Sequence, residues 1–264
     1  MKPSMPAPND VRLMNISAAL LGLGVCVALL VGAARWAIRH PIFTIAGITV
    51  QGDTVHNNDV TLRANVAPRL QGNFFTLDLA QTRAAFEAVP WVRKAVVRRE
   101  FPNHLRVSLE EHRSAGLWGF DSESRLLNTF GEVFEANAGD AENEELPRLM
   151  GPDGQGLQVL KVYRSLNALF TPLDASIEEL ELTGRGGWRL LLDGGAVMEM
   201  GRGTAAELGA RVKRFTQTYT QVLSAYQRTG LDRIELVDLR HNEGYAIRLR
   251  GVSAVVTTPG LEKK

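Results

Sequence analysis

The chain has 264 residues, with 30 Lys plus Arg against 29 Asp plus Glu, a formal net charge of +1 and one cysteine. That balance creates no field for nucleic acid or an anionic surface. Cys26 falls inside an apolar segment, so the rest of the chain has no disulfide and no thiol, a composition suited to an oxidising compartment.

Residues 1–15 contain three prolines, Asn9 and Asp10, show no periodicity, and read as a short disordered cytoplasmic tail. Residues 16–34, ISAALLGLGVCVALLVGAA, carry no charge. As a helix this stretch spans roughly 28 Å, enough to cross a bilayer once. It is longer than the ~7–15 residues of a signal-peptide core, so an uncleaved transmembrane helix over 16–36 is expected, with Trp36 at the interface. Gly24, Ala28 and Gly32 recur every four residues and form one small-residue face for transmembrane packing. Lys2 and Arg12 on one side are balanced by Arg35 and Arg39 on the other, so the flanking charges do not set orientation. A short inside tail and an outside C-terminal payload is the default for such an anchor.

After the anchor the signals become those of a compact α+β module. Phe43, Ile45, Ile48 and Val50 alternate like a half-buried strand ended by Gly52 and Asp53. Asn58 is placed to cap a helix carrying Val60, Leu62 and Val66 that stops near Pro68. Gly72 and Asn73 turn the chain. Asp78 or Thr76 caps a second helix through Ala88, with Leu79, Arg83 and Phe86 at helical spacing and Pro90 as terminator. A β-rich run at 92–99, a Phe101-Pro102-Asn103 turn and the alternation of Leu105, Val107 and Leu109 complete the order strand, helix, helix, strand, strand over 43–112.

GNFFTLDL at 72–79 and PWVRKAVVRREFPNHLRVSLEEH at 90–112 resemble the POTRA domain of the FtsQ/DivIB family of bacterial cell division proteins. Secretion and outer-membrane assembly proteins also carry POTRA modules and form the alternative class. A β-barrel or translocation apparatus would need more residues than follow here.

Beyond 113, short strands are expected at 115–120, 125–128 and 133–134. Glu135, Asp140, Glu142, Glu144 and Glu145 form an acidic, solvated loop. Leu157, Leu160, Tyr163, Leu166 and Leu169 or Phe170 stripe a helix over 156–170. Ile177, Leu180 and Leu182 begin the next strand, and runs at 188–192 and 196–200 flank the hairpin signal Asp193-Gly194-Gly195. Leu208, Val212, Phe215, Tyr219, Val222 and Tyr226 stripe a long helix over 204–227. Strands at 233–239 and 245–249 close the sheet across an Asn242-Glu243-Gly244 turn, and 251–264 reads as a disordered tail. The expected fold is therefore α+β: one transmembrane helix, a POTRA domain, and a mixed β-sheet domain with flanking helices over 113–250.

LLNTFGEVF, LPRLMGPDG, LTGRGGWRLLLDGG and VDLRHNEGYAIRLR are similar to FtsQ/DivIB phrases, with His241 where that pattern has an aromatic Tyr. No nucleophile–base pair, paired carboxylates or metal spacing is visible, so no catalytic, cofactor or metal residue is assigned. Gly201-Arg202-Gly203-Thr204-Ala205-Ala206 matches G-x-G-x-x-A, yet its strand belongs to the Asp-Gly-Gly hairpin and Asp238 arrives too late for a ribose acid. A tight strand-to-helix turn is preferred over a nucleotide-binding enzyme.

The resemblance implies a non-catalytic divisome scaffold at the septum, in the inner membrane with its domains periplasmic, linking early and late assembly and binding FtsB and FtsL. Val97, Arg98 and Arg99 are its candidate POTRA-edge contact. Arg185, Arg240, His241, Gly244, Tyr245, Ala246, Ile247 and Leu249 are its candidate FtsB contact. The last strand would expose unpaired N–H and C=O groups to strand addition, with Tyr245, Ile247 and Leu249 facing one way and Arg185 meeting a carboxylate.

Overall fold

The computed structural model describes residues 9–120, 125–141, 146–241 and 244–251. The expected tails over 1–8 and 252–264, the acidic residues Glu142, Glu144 and Glu145, and the Asn242-Glu243 turn lie outside the described residues. The chain divides between Glu111 and His112 into two compact units.

The first unit opens with α1, Asn9–Ile38. Its segment Leu13–Ile38 has a mean hydropathy of 2.4 and no buried residue, and is the one described helix long and apolar enough to cross a membrane. Residues 9–15, expected as tail, are helical. No proline follows Pro8 there, and each residue added to a nucleated helix gains a hydrogen bond.

The POTRA module comprises β1 (Gly47–Gly52), α2 (Asp59–Val66), α3 (Leu79–Glu87), β2 (Val92–Glu100) and β3 (His104–Glu111). The sheet order is β1-β3-β2, with β1 parallel and β2 antiparallel to the central β3. The first strand is shorter than the alternation suggested. Phe43 instead ends a 3₁₀ turn, Pro41–Phe43, because Pro41 pre-sets its first φ, and Ile45 lies in the connection. Asn58 caps α2 by accepting from Thr61 N–H, and Asp78 caps α3 by accepting from Ala80 and Gln81 N–H. Leu62, Val66, Ala85 and Phe86 pack against Ala95, Val107 and Leu109, whereas Val60 faces solvent.

Glu111 closes this small core. Its carboxylate, 5 % exposed, accepts from the backbone N–H groups of Val55, His56 and Asn57 and from the Asn57 side chain, all at 2.9–3.0 Å. His56, also 3.1 Å from it, stacks on Trp91.

The second unit is a nine-stranded sheet in the order β12-β11-β10-β9-β8-β7-β4-β5-β6. The strands are β4 (Ser114–Trp118), β5 (Arg125–Asn128), β6 (Val133–Glu135), β7 (Arg148–Met150), β8 (Ile177–Leu182), β9 (Trp188–Leu192), β10 (Val197–Gly201), β11 (Ile234–Asp238) and β12 (Ala246–Leu249). Helix α4 (Gly156–Phe170) joins the parallel strands β7 and β8, and α5 (Ala205–Ala225) joins the parallel strands β10 and β11. The two helices cover one face, where Leu160, Leu166, Phe170, Leu208, Val212 and Phe215 meet Leu180, Leu190, Met198 and Val237. Val159 and Leu223 are buried, while Leu157 and Tyr226, expected on the apolar stripes, are exposed; each stripe is rotated slightly from its expected phase. The opposite face carries paired charges, Arg148 with Glu179, Arg189 with Glu199 and Arg248 with Glu235. The β9–β10 hairpin turns through Gly195 at φ 75°, a conformation that a side chain resists. His112 packs in this unit, stacked on Phe134.

Candidate partner-binding edge

β12 terminates the large sheet and pairs on one side only, antiparallel to β11. Its register sets Asp238 opposite Ala246, Val237 opposite Ile247 and Leu236 opposite Arg248. Leu239 N–H donates to the Glu199 carbonyl on β10, and Arg250 N–H donates to the carbonyl of Arg233, the last residue of the 3₁₀ turn Leu231–Arg233 before β11. Alternation along an antiparallel ladder then turns the amides and carbonyls of Ala246 and Arg248 toward β11 and those of Ile247 and Leu249 outward. Among the described residues no strand or side chain meets these outward groups.

The side chains divide the other way. Leu249 is buried in the core, and Tyr245 and Ile247 pack half-buried against it. The Tyr245 hydroxyl shares a 2.6 Å hydrogen bond with Thr218 Oγ1 on α5, and its ring meets Phe215 edge-on. These three side chains do face one way, but toward the domain's own core. A strand added at the edge would extend that apolar layer beside Tyr245 and Ile247. Ala246 and Arg248 are exposed on the opposite face, and Gly244 is partly exposed.

Arg240 is held at the end of β11. Its Nη2 donates to Asp238 Oδ2 at 2.6 Å and its Nε to Oδ1 at 2.9 Å, and its backbone N–H also reaches Oδ1. These bonds from Arg240 lower the Asp238 pKa from 3.8 to about 2. His241 follows, exposed in a bend. Arg185 is exposed in the β8–β9 turn and makes no hydrogen bond or ion pair among the described residues. The turn lies at the same end of the sheet, since Trp188 pairs with Gly201, and Glu199 with Asp238. Three strand spacings, roughly 14 Å, separate β9 from β12, so a partner reaches Arg185 only by running across the sheet end.

The POTRA edge differs. β2 is an edge strand carrying Val97, Arg98 and Arg99, but Arg99 turns back into its own module and donates to Phe74 and Leu77 carbonyls at 2.6 Å each. Val97 packs partly on the core, which leaves Arg98 as the exposed side chain without such a tether. The other edge, β1, borders a groove floored by Leu62, Val66 and Phe86.

Comparison with known proteins matches residues 43–112 to the POTRA domain, FtsQ-type, and residues 116–240 to the C-terminal domain of cell division protein FtsQ/DivIB. The cell division protein FtsQ of Burkholderia pseudomallei is 40 % identical over 251 residues, 95 % of this chain and 97 % of the relative. The chain belongs to the FtsQ/DivIB family. FtsQ of Bordetella pertussis is 36 % identical over 259 residues, 91 % of this chain and 92 % of the relative, and FtsQ of Shewanella oneidensis 36 % over 203 residues, 77 % and 73 %. The match to the FtsQ/DivIB C-terminal domain ends at Arg240, so the geometry of β12 stands on the structure alone.

Within this FtsQ/DivIB fold the glycine-rich turn needs one correction. β10 pairs with β9 as a hairpin and also lies parallel to β11 across α5, so the motif does sit in a βαβ unit. What fills the phosphate position is the chain itself. Thr204 and Glu207 form a capping box at the α5 N-terminus, and Thr204 N–H donates to Glu207 Oε2 at 2.7 Å, lowering the Glu207 pKa. Arg211 also bonds the Met200 and Arg202 carbonyls.

Arg202, exposed in that turn, escaped sequence reasoning because the motif drew attention to its glycines. It lies beside the β8–β9 turn, where a methyl built on Gly186 would sit 4.0 Å from its Nε, so Arg185 and Arg202 share one end of the sheet. On α1, Gly24, Ala28 and Gly32 are exposed, with space open above Gly24 and Gly32.

Proposed function

We propose that this member of the FtsQ/DivIB family is a non-catalytic scaffold of the division machinery at the septum, and that it binds FtsB, with FtsL beside it, by adding a strand to β12. In this reading α1 crosses the inner membrane once, the N-terminus is cytoplasmic and both folded units are periplasmic. A large folded payload on the C-terminal side of one apolar helix supports that orientation. The observation that carries strand addition is the outer edge of β12, whose Ile247 and Leu249 amides and carbonyls point away from β11. An extended segment laid there gains main-chain hydrogen bonds, and its inward side chains continue the layer of Tyr245 and Ile247. Arg185 and Arg202 suit an acidic flank of the same partner crossing the sheet end.

Amide exchange on the full chain in lipid nanodiscs, with and without a periplasmic FtsB fragment, tests this. The Ile247 and Leu249 amides should gain protection, while Ala246 and Arg248, already paired to β11, change little. Protection confined to β2 or β1 would overturn the β12 site.

A further inference from the structure

We infer that the end of the POTRA module nearest α1 is a bilayer-contacting surface, an aromatic platform lodged in the lipid headgroup region; this rests on α1 being a membrane anchor. Three segments meet at that end. β1 and β3 run parallel, with Gly47 opposite His104, so the Phe101–Asn103 turn lies level with the chain arriving from α1. Ala46 N–H donates to the Asn103 carbonyl at 2.9 Å, and Phe74 N–H to the Phe43 carbonyl at 2.9 Å. Asn73 Nδ2 reaches back to the Ile38 carbonyl at the end of α1, at 2.6 Å. The module is thus bonded to the last turn of the spanning helix, not merely tethered to it.

Apolar surface collects there. Phe43, Phe75, Phe74 and Phe101 form a continuous ring cluster with successive centroids 4.7, 5.2 and 6.0 Å apart. Phe101 is 75 % exposed, Ile42 57 % and Phe75 47 %, and Trp36 on α1 is 71 % exposed. An exposed cluster of this kind marks an interaction surface. Its occupant follows from continuity with α1. Aromatic side chains favour the membrane interface, and Arg35 and Arg39 flank the helix end where phosphates would lie. The far end of the sheet, roughly 20 Å away along β1, exposes Val55 and Val60 singly, and its ring pair, His56 stacked on Trp91, has Trp91 only 2 % exposed.

The test uses the full chain with Cys26→Ser and single nitroxide labels at Ile42→Cys, Phe75→Cys or Phe101→Cys, in phospholipid vesicles without other protein. Leu30→Cys reports the span and Val55→Cys the far end. The expected result is loss of broadening by a water-soluble nickel complex at 42, 75 and 101 relative to 55, with oxygen accessibility rising toward that at 30. If 75 and 101 are as water-accessible as 55 while 30 is lipid-buried, the platform is refuted and the anchor stands; a protein partner would then be the occupant. If 30 is water-accessible too, the anchor reading falls and the platform with it.

Discussion

Both sheets end in a strand with unpaired backbone groups, and the two are treated oppositely. In the POTRA module Glu87 on α3 accepts the Ala95 N–H of β2 at 3.2 Å, and Arg99 reaches from β2 to two loop carbonyls. The module caps one amide of its edge strand with its own Glu87 and ties the strand's Arg99 side chain back to a loop, as it holds the 55–57 segment with Glu111. β12 has no such cover among the described residues. The large sheet, with both helices on one face, has the apolar burial to tolerate an open edge, and an open edge is what strand addition requires. The difference separates an edge strand tied back to its own module by Glu87 and Arg99 from one left open.

The largest expected effect would break the first half of that contrast. Glu111→Ala removes a buried acceptor shared by four donors and should cost the POTRA module about 3–5 kcal/mol. Two-transition thermal unfolding, with exchange mapping to assign the transitions, should show the first unit melting early and the second unchanged.

Next come the two edge arginines, which look alike in the sequence. Arg99→Glu breaks two charge-assisted bonds and should destabilise the module by roughly 1.5–3 kcal/mol, whereas exposed Arg98→Glu should stay within about 0.5 kcal/mol. Reversing both at once would therefore confuse folding with recognition. Equal stability of the two variants, measured by denaturant unfolding, would remove the idea that Arg99 ties β2 back to its own module.

The open edge is sharpened by a proline. Ala246→Pro is a poor test, because the Ala246 amide faces β11 and the variant would damage the sheet itself. Ile247→Pro removes an outward donor and should weaken binding of an FtsB fragment by roughly 5- to 150-fold, about 1–3 kcal/mol. Ile247→Ala loses the same side-chain packing but keeps the N–H, and should bind more tightly than the proline variant. Equal affinities in calorimetry, with both domains folded by circular dichroism, would exclude backbone pairing at that amide.

What the sequence revealed of these two regions was their local half. The caps at Asn58 and Asp78, the alternation of Leu105, Val107 and Leu109, and the Asp-Gly-Gly hairpin are written within a few residues and appear as expected. Strand order is not local. That β10 serves a hairpin and a parallel crossover at once depends on β11 arriving after α5. Glu111 shows nothing of its role, since its backbone donors lie more than fifty positions away, at |i−j| of 54 to 56. Arg98 and Arg99 are adjacent and identical in kind, and only the pleat decides which one turns inward. The candidate edge was legible as a terminal strand; which of its amides face outward was not.

The smallest effect concerns how the chain is delivered to β12. Asp238 and Arg240 fasten the end of β11 just before the turn into the edge strand. The folded-state pKa of Asp238, about 2, lies below its ordinary 3.8, so the pair's contribution is fully present above the ordinary value and lost as pH falls from there through about 2. Arg240 is largely exposed, with 60 % of its side chain accessible, so solvent screening keeps the amplitude small. Asp238→Asn should therefore be slightly less stable than the parent near neutrality, with the gap closing between about pH 4 and 2. A gap that stays constant through that range would mean that the charge on Asp238 is not what holds Arg240, and that the backbone bond from Arg240 N–H suffices to set the turn into β12.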